Sequence, residues 1–330
     1  VSAPIAKAEL LDDRGEATVD DQFFRSRPFL EAEGATHTLR IESDEGELIA
    51  PLIVREIEGT GERDAISPYG YPGLVDGSRG GTRRSNSGEA PAAPPPTPPT
   101  LDPESIDFSA TGLVSVFIRH ALGPSPLAGA TERNVVQIAD PELPPKSRPS
   151  DRRQVRRNLE AGYALELVPG ATTTPEQRTG FLDLYEQTMR RTDAAPHYFF
   201  DAPYFDRILE AERTWLALAI APDGTLAAAS IAAVSDGCLH YYLSGSGDSH
   251  LRDSPMKNVV ARLVEHATDL RLPLNLGGGI SPGDALEEFK RGFANRRQSW
   301  LTSELVCDEE KYAALSAGRD AGGFFPAYRA

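Results

Sequence analysis

Between Thr174 and Val306 the sequence spells out an order of elements that few folds accommodate. Thr174-Pro175-Glu176-Gln177 combines an N-cap threonine, proline at the first helical position and glutamine at N3. That is a capping-box start for a helix carrying Phe181, Leu184, Tyr185 and Met189. A shorter helix around 204–212 leads to WLALAI (215–220), a Pro-Asp-Gly-Thr turn, LAAASIAAV (226–234), an Asp-Gly turn and CLHYYLSG (238–245). These read as two successive hairpins. Pro255 then opens a helix with Val259, Leu263 and His266 on one face, before LPLNLGG (272–278), DALEEFKRGF (284–293) and SWLTSELV (299–306). The order is α-α-β-β-β-α-β-α-β, and an antiparallel meander feeding a β-α-β crossover makes a mixed sheet with helices on both faces.

The chain has 330 residues, long enough for two domains, placed here at 1–145 and 146–330. The first half is mixed α/β: a helix over 20–33 with Phe23, Phe24 and Leu30 as its apolar contacts, strands near 37–41 and 48–57 joined by SDEG, and strands at 113–119 and 134–139. Residues 77–100 carry no large apolar side chain and pass from Gly/Ser/Arg-rich to Pro-rich, so they are expected to form a mobile insertion in the first domain. Ser150 is placed to cap a helix with Val155 and Leu159 as an apolar i,i+4 pair and Gly162 at its end.

The net charge of -15 argues against a general nucleic-acid binder or a DNA partner, since affinity for phosphate backbones comes mainly from clustered cations. The charge is uneven, however. Lys146, Arg148, Arg152, Arg153, Arg156 and Arg157 crowd one short stretch against Asp151 alone. No apolar run of about 18 residues marks a membrane span and no leader is legible, so a cytoplasmic protein is expected. Cys238 and Cys307 sit singly in strand-like contexts and the histidines are scattered, which gives no metal-site or disulfide pattern.

Four segments in order carry a resemblance: Ser67-Pro68-Tyr69-Gly70-Tyr71-Pro72-Gly73, RRQVRRNLEAGYALELV (152–168), LYEQTMRRTDAAPHYFFDAPYF (184–205) and LNLGGGISPGDALEEFKRGF (274–293). Together they resemble the Fem and BioF2-like branch of the GNAT acyltransferase superfamily. The resemblance implies an α/β fold of two tandem GNAT-like units with a cleft between them. It also implies transfer of an amino acid from aminoacyl-tRNA to an amine of a peptide or peptidoglycan precursor. The long charged heptads of the helical arm found in some members are missing. In CoA-dependent GNAT proteins a Gly-rich turn at a helix N-terminus holds the pyrophosphate; here that turn reads SGSGDSHLRDSPMKNVV (244–260). Asp253 suits a diphosphate poorly and Pro255 removes a donor, which favours aminoacyl-tRNA as co-substrate over acyl-CoA, with no cofactor.

Within this resemblance Lys290 is the candidate cation for an oxyanion or substrate phosphate, the alternative being an exposed helix lysine paired with Glu287 or Glu288. Tyr69 and Tyr71 are candidates for the acceptor pocket, or ordinary turn residues. Tyr242 and His240, two apart on a strand, are candidates for substrate contact and for deprotonating the amine, packing being the alternative for both. Phe199 belongs to an aromatic run that walls a cleft or fills a core. Lys146, Arg152, Arg153, Arg156 and Arg157 fit a tRNA acceptor stem or a phosphate, the alternative being a solvated helix face. Gly277-Gly278-Gly279 reads first as a strand-to-helix turn and second as a site of close substrate approach. A non-catalytic GNAT-like binding protein is the remaining class.

Overall fold

A computed structural model of the protein describes residues 5–14, 22–77 and 100–330. The chain forms two compact units, one of Val1–Val19, Phe24–Arg133 and Trp300–Ala330, the other of Asp20–Phe23 and Asn134–Ser299. The sequence suggested one boundary near 145. Instead the chain changes unit within two strands, Thr131–Ala139 and Arg296–Val306. Of the expected insertion at 77–100, residues 78–99 lie outside the described residues, as do 15–21 of the region before the first helix.

In the second unit, helix α2 (Pro149–Glu160) precedes strand β9 (Ala164–Pro169), followed by α3 (Pro175–Arg191), α4 (Ala202–Leu209) and strands β10 (Thr214–Ile220), β11 (Leu226–Ser235) and β12 (Cys238–Ser246). Then come α5 (Met256–Leu270), β13 (Leu274–Asn275) and α6 (Ala285–Arg291), with β8 (Thr131–Ala139) completing the sheet in the order β8-β13-β12-β11-β10-β9. The capping box at Thr174 and Gln177 is present, so the start of α3 was written locally. One face of the sheet packs Ala217, Ala228, Ala232 and Leu239 against Val259, Val260 and Leu263 of α5. On the other, α3 and α4 bury Phe181, Tyr185 and Phe205 in an edge-to-face cluster.

The first unit holds β1 (Ala6–Leu11), α1 (Arg27–Glu33), β2 (His37–Ser43), β3 (Gly46–Glu56), β4 (Arg63–Ile66), β5 (Val75–Asp76), β6 (Ile106–Asp107) and β7 (Ser115–Arg119). Strand β14 (Arg296–Val306) and helix α7 (Glu309–Ser316) complete it. Its sheet runs β6-β1-β2-β3-β4-β7-β14, with β5 beside β3. Helix α1 is shorter than expected, because Ser26 caps it and Pro28 is tolerated only in the first turn.

The two sheets share one plan. In each, an antiparallel meander ends in a strand that pairs parallel with the next for two residue pairs: Ala65 with Val116 and Ile66 with Phe117 in one, Leu239 with Leu274 and His240 with Asn275 in the other. A strand from another part of the chain then pairs antiparallel, β14 on β7 and β8 on β13. The first unit's C-terminal segment is anchored by Asp64, which is fully buried. Its carboxylate accepts from Arg55 Nε (2.9 Å), Arg329 Nε (2.5 Å) and Nη2 (3.1 Å) and the Tyr328 hydroxyl (3.1 Å). Removing that charge strands its partners, so Asp64→Ala is expected to destabilise the protein by about 3 kcal/mol in urea unfolding, whereas Glu58→Ala, exposed on a turn, leaves the midpoint unchanged.

Candidate functional site

After His240 and Asn275 the parallel strands β12 and β13 part, which removes the β12-side ladder partners of the residues that follow, while Leu276 N–H and the Gly277 carbonyl stay paired with Gln137 of β8. Buried side chains take over the bonding. Asn275 Nδ2 donates to His240 Nδ1 (3.1 Å), which leaves the ring proton on Nε2 to reach the Ser235 carbonyl (3.3 Å). Asn275 Oδ1 in turn accepts from the Gly277 backbone N–H (2.8 Å). His240 is 2% exposed, and burial pushes its pKa down to about 4, so the ring is neutral near pH 7. Its geometry serves to position Asn275 and the turn beyond; the lone pair a base would use is already accepting a proton. A bulge in β12 breaks the alternation at Tyr242, whose hydroxyl lies 2.9 Å from that of Tyr204, with Phe23 edge-on at 5.4 Å.

The turn that follows depends on its three glycines. Gly277 has φ +76°; a Cβ on Gly278 would lie 2.5 Å from the Asn134 amide, and one on Gly279 would strike Asp284. Asn134 holds the Gly279 carbonyl (2.8 Å). Asp284 caps α6 through Glu287 N–H (2.7 Å) and also accepts from Ile280 N–H (2.7 Å) and Ser281 N–H (3.0 Å). These bonds hold its carboxyl below the usual carboxylate range. The glycines are therefore structural, and Asp284 is committed to the backbone.

Lys290 emerges from α6 into this turn. It is 8% exposed, and Nζ donates to the Gly278 carbonyl at 2.6 Å. Neither Glu287 nor Glu288 pairs with it: Glu287 takes Gly283 N–H and Arg291, and Glu288 takes Arg148 and Arg291. Desolvation lowers the Lys290 pKa to about 8, with the Asp284 charge opposing the shift. The exposed, paired helix lysine is not what the fold provides.

Helix α2 is tied to the end of α6 by Arg148 N–H to the Gly292 carbonyl (3.1 Å) and by the Arg148–Glu288 ion pair (2.7 Å). Its inner face is polar, not the expected Val155/Leu159 pair: Asp151 and Asn158 are buried while Leu159 is 47% exposed. It begins at Pro149, with Arg148 rather than Ser150 at the cap. Asn158 Nδ2 reaches the Asp253 carbonyl (2.8 Å) and Asn258 Oδ1 (2.7 Å), Gln154 also reaches the Asp253 carbonyl (2.8 Å), and Tyr163 donates to the Asp253 carboxylate (2.9 Å). The turn before α5 is thus covered by the protein's own side chains. Lys146, Arg152, Arg153, Arg156 and Arg157 are all exposed.

The second unit therefore brings Lys290 and the cationic helix onto adjoining helices. His240 and Tyr242 lie on the strand beside β13, whereas Phe199, 43% exposed ahead of α4, makes no described contact with the Lys290 turn. Tyr69 and Tyr71 belong to the first unit, where Tyr69 N–H binds Glu33 (2.8 Å) and Tyr71 stands edge-on to Phe24 and Trp300, both at 5.5 Å. Asn134 and Asn275 were missed from sequence. A signal existed for Asn275, a lone polar residue inside an apolar strand before three glycines.

Residues 145–291 match the acetyltransferase (GNAT) domain family. No curated protein matches the chain. Among solved structures, FemX aligns over 88% of this chain and 93% of its own with TM-score 0.59 at 10% identity. The C-terminal domain of a putative lysylphosphatidylglycerol synthetase from Agrobacterium fabrum aligns over 88% of this chain and 89% of its own, with TM-score 0.54 at 14% identity. At these identities the similarity is one of fold, and it supports the tandem mixed α/β architecture.

The low pKa of His240 carries a stability consequence. A histidine whose folded pKa lies below its unfolded value binds fewer protons when folded, so stability is lost as pH falls from about 6.5 toward 4. Between about pH 7 and pH 5 this group alone is worth about 2 kcal/mol. Urea unfolding at the two pH values is expected to show that loss reduced in His240→Gln.

Proposed function

We propose that the chain is a GNAT-superfamily acyltransferase of Fem-like fold that transfers an amino acid from aminoacyl-tRNA to an amine. The acceptor in this reading is a peptide or peptidoglycan-precursor-like molecule, met in the cytoplasm. The observation that carries the reading is the junction of α2 and α6: a buried lysine on one helix and four exposed arginines on the other, tied through Arg148 and Gly292. An anionic RNA end lying along α2 would bring its terminal ester toward the Lys290 turn.

The chemistry asks little more of the protein. An aminoacyl ester is already activated and an α-amine has a pKa near about 8, so alignment supplies much of the acceleration. The developing oxyanion needs a charge nearby, which Lys290 supplies in a water-poor setting where it counts for more than in bulk solvent. Tyr242 and Phe199 are the substrate contacts this reading assigns to the second unit, and Tyr69 and Tyr71 those of the first. His240 acts behind them by holding Asn275.

Two features support a tRNA donor. Asp253, at the position of a CoA-pyrophosphate turn, is held by Tyr163, and its carbonyl is capped by Gln154 and Asn158. The exposed cations are concentrated on α2, although the chain is acidic overall. The acetyltransferase description of the matched family favours acyl-CoA as the second reading. Among the described residues no helix is long and apolar enough to cross a membrane.

The deciding experiment supplies bulk tRNA charged with labelled amino acids and a peptidoglycan stem pentapeptide. Label is expected in the peptide, and ribonuclease treatment of the donor is expected to abolish it; transfer that survives ribonuclease and requires acyl-CoA would instead establish the second reading. Lys290→Ala is expected to lower the rate by about 100-fold to 1000-fold. Arg153→Ala with Arg156→Ala is expected to raise KM for charged tRNA by about 10-fold and flatten its salt dependence, leaving kcat nearly unchanged.

A further inference from the structure

The geometry points to Lys290 as the proton shuttle of the transfer step, receiving a proton from the attacking amine and returning it to the leaving hydroxyl. This rests on the aminoacyl-transfer reading and assigns the lysine a second task beyond charge stabilisation.

Among the described residues, Nζ has one hydrogen-bond partner, the Gly278 carbonyl, and no carboxylate within ion-pair distance. A buried ammonium would leave two N–H groups unmatched, which is costly. A neutral amine leaves one N–H and a lone pair facing whatever enters the turn. The charged groups on the surrounding elements are all engaged elsewhere. Asp284 binds three backbone N–H groups. Glu287 holds Arg291 and Gly283 N–H, with Arg297 Nη2 at 3.7 Å, and Glu288 holds Arg148 and Arg291. Asp151 on α2 pairs with Lys257 on α5 at 2.8 Å. None pairs directly with Lys290, and the Asp284 charge offsets only part of the desolvation. The carbonyl it does bind is set by the His240–Asn275–Gly277 chain and by Asn134, so one N–H is held and the rest of the amine faces the turn.

The step balances without a further reactant. The acceptor amine attacks the ester carbonyl, forming C–N while the π pair moves to oxygen. Neutral Lys290 takes the proton from the resulting ammonium and, now cationic, faces the oxyanion. As the tetrahedral centre collapses the C–O bond breaks, and Lys290 returns the proton to the departing ribose oxygen. The burial-lowered pKa of about 8 places the group near the pH at which both transfers are efficient.

Two measurements on the full chain test this. Limiting N-hydroxysuccinimidyl acetate applied from about pH 6.5 to 10, with peptides quantified by mass spectrometry, should give a Lys290 labelling midpoint near 8, well below the ordinary lysine value of about 10.4. A midpoint near that ordinary value overturns the inference. The second measurement compares Lys290→Arg with Lys290→Ala, both checked for an unchanged melting temperature. Arginine keeps the charge but cannot give up a proton, so a shuttle predicts both variants at least about 100-fold slower in peptide labelling from charged tRNA. A Lys290→Arg enzyme within about 10-fold of wild type overturns the shuttle and leaves simple charge stabilisation. Failure of the wild-type protein to use charged tRNA counts against the donor alone, because the labelling midpoint is read without any substrate.

Discussion

Everything at the site follows from the parting of β12 and β13 after two residue pairs. Where two strands diverge inside a protein, their backbone groups lose ladder partners and must be satisfied by side chains or substrate. Here Asn275 satisfies Gly277 N–H, His240 orients Asn275, and Asn134 satisfies Gly279. One acceptor, the Gly278 carbonyl, is matched to the buried lysine. A polar network of this kind costs too much to leave half-made, so it forms as a unit and stiffens the turn from which α6 starts.

The same plan in the first unit is completed differently. There β4 and β7 also part after two pairs, but Ser67 bridges the gap: its N–H binds the Phe117 carbonyl (2.9 Å), its hydroxyl accepts from Arg119 N–H (2.8 Å), and Arg119 Nη1 returns to the Ser67 carbonyl (2.5 Å). That unit's equivalent position is closed by its own chain, and no helix lies between β7 and β8 to present a lysine there. Similar topology thus yields one unit with a buried lysine at its turn and one whose Ser67–Gly73 segment is braced by its own chain. Gly70 belongs to that bracing, with φ +92° and Phe24 where a Cβ would sit.

Charge is organised by the same economy. The protein is strongly acidic, yet α2 keeps its arginines outward because its inner face is spent on Asp151, Gln154 and Asn158, which secure α5 and the turn before it. A helix anchored by hydrogen bonds needs little apolar surface on its inner side. Its outer positions remain open to cations, and Leu159 is left largely in water.

The sequence by itself determined the local elements of the second unit: the capping box of α3, the two hairpins, the proline before α5 and the glycine-rich turn before α6 each carry their instruction within a few residues. Clustered charge singled out the arginines of α2, whereas Lys290 was singled out by the family resemblance. Only the tertiary structure decided that Lys290 is buried, since an EEFKRGF helix face reads equally well as solvated until β8 and the turn close over it. Only tertiary pairing assigned Thr131–Ala139 and Arg296–Val306 to their sheets, because strand partners distant in sequence leave no periodicity to read. The role of His240 turned on the same point: a histidine in a strand is a base or a strut according to what meets its nitrogens, and that is set by Asn275, which lies 35 residues away.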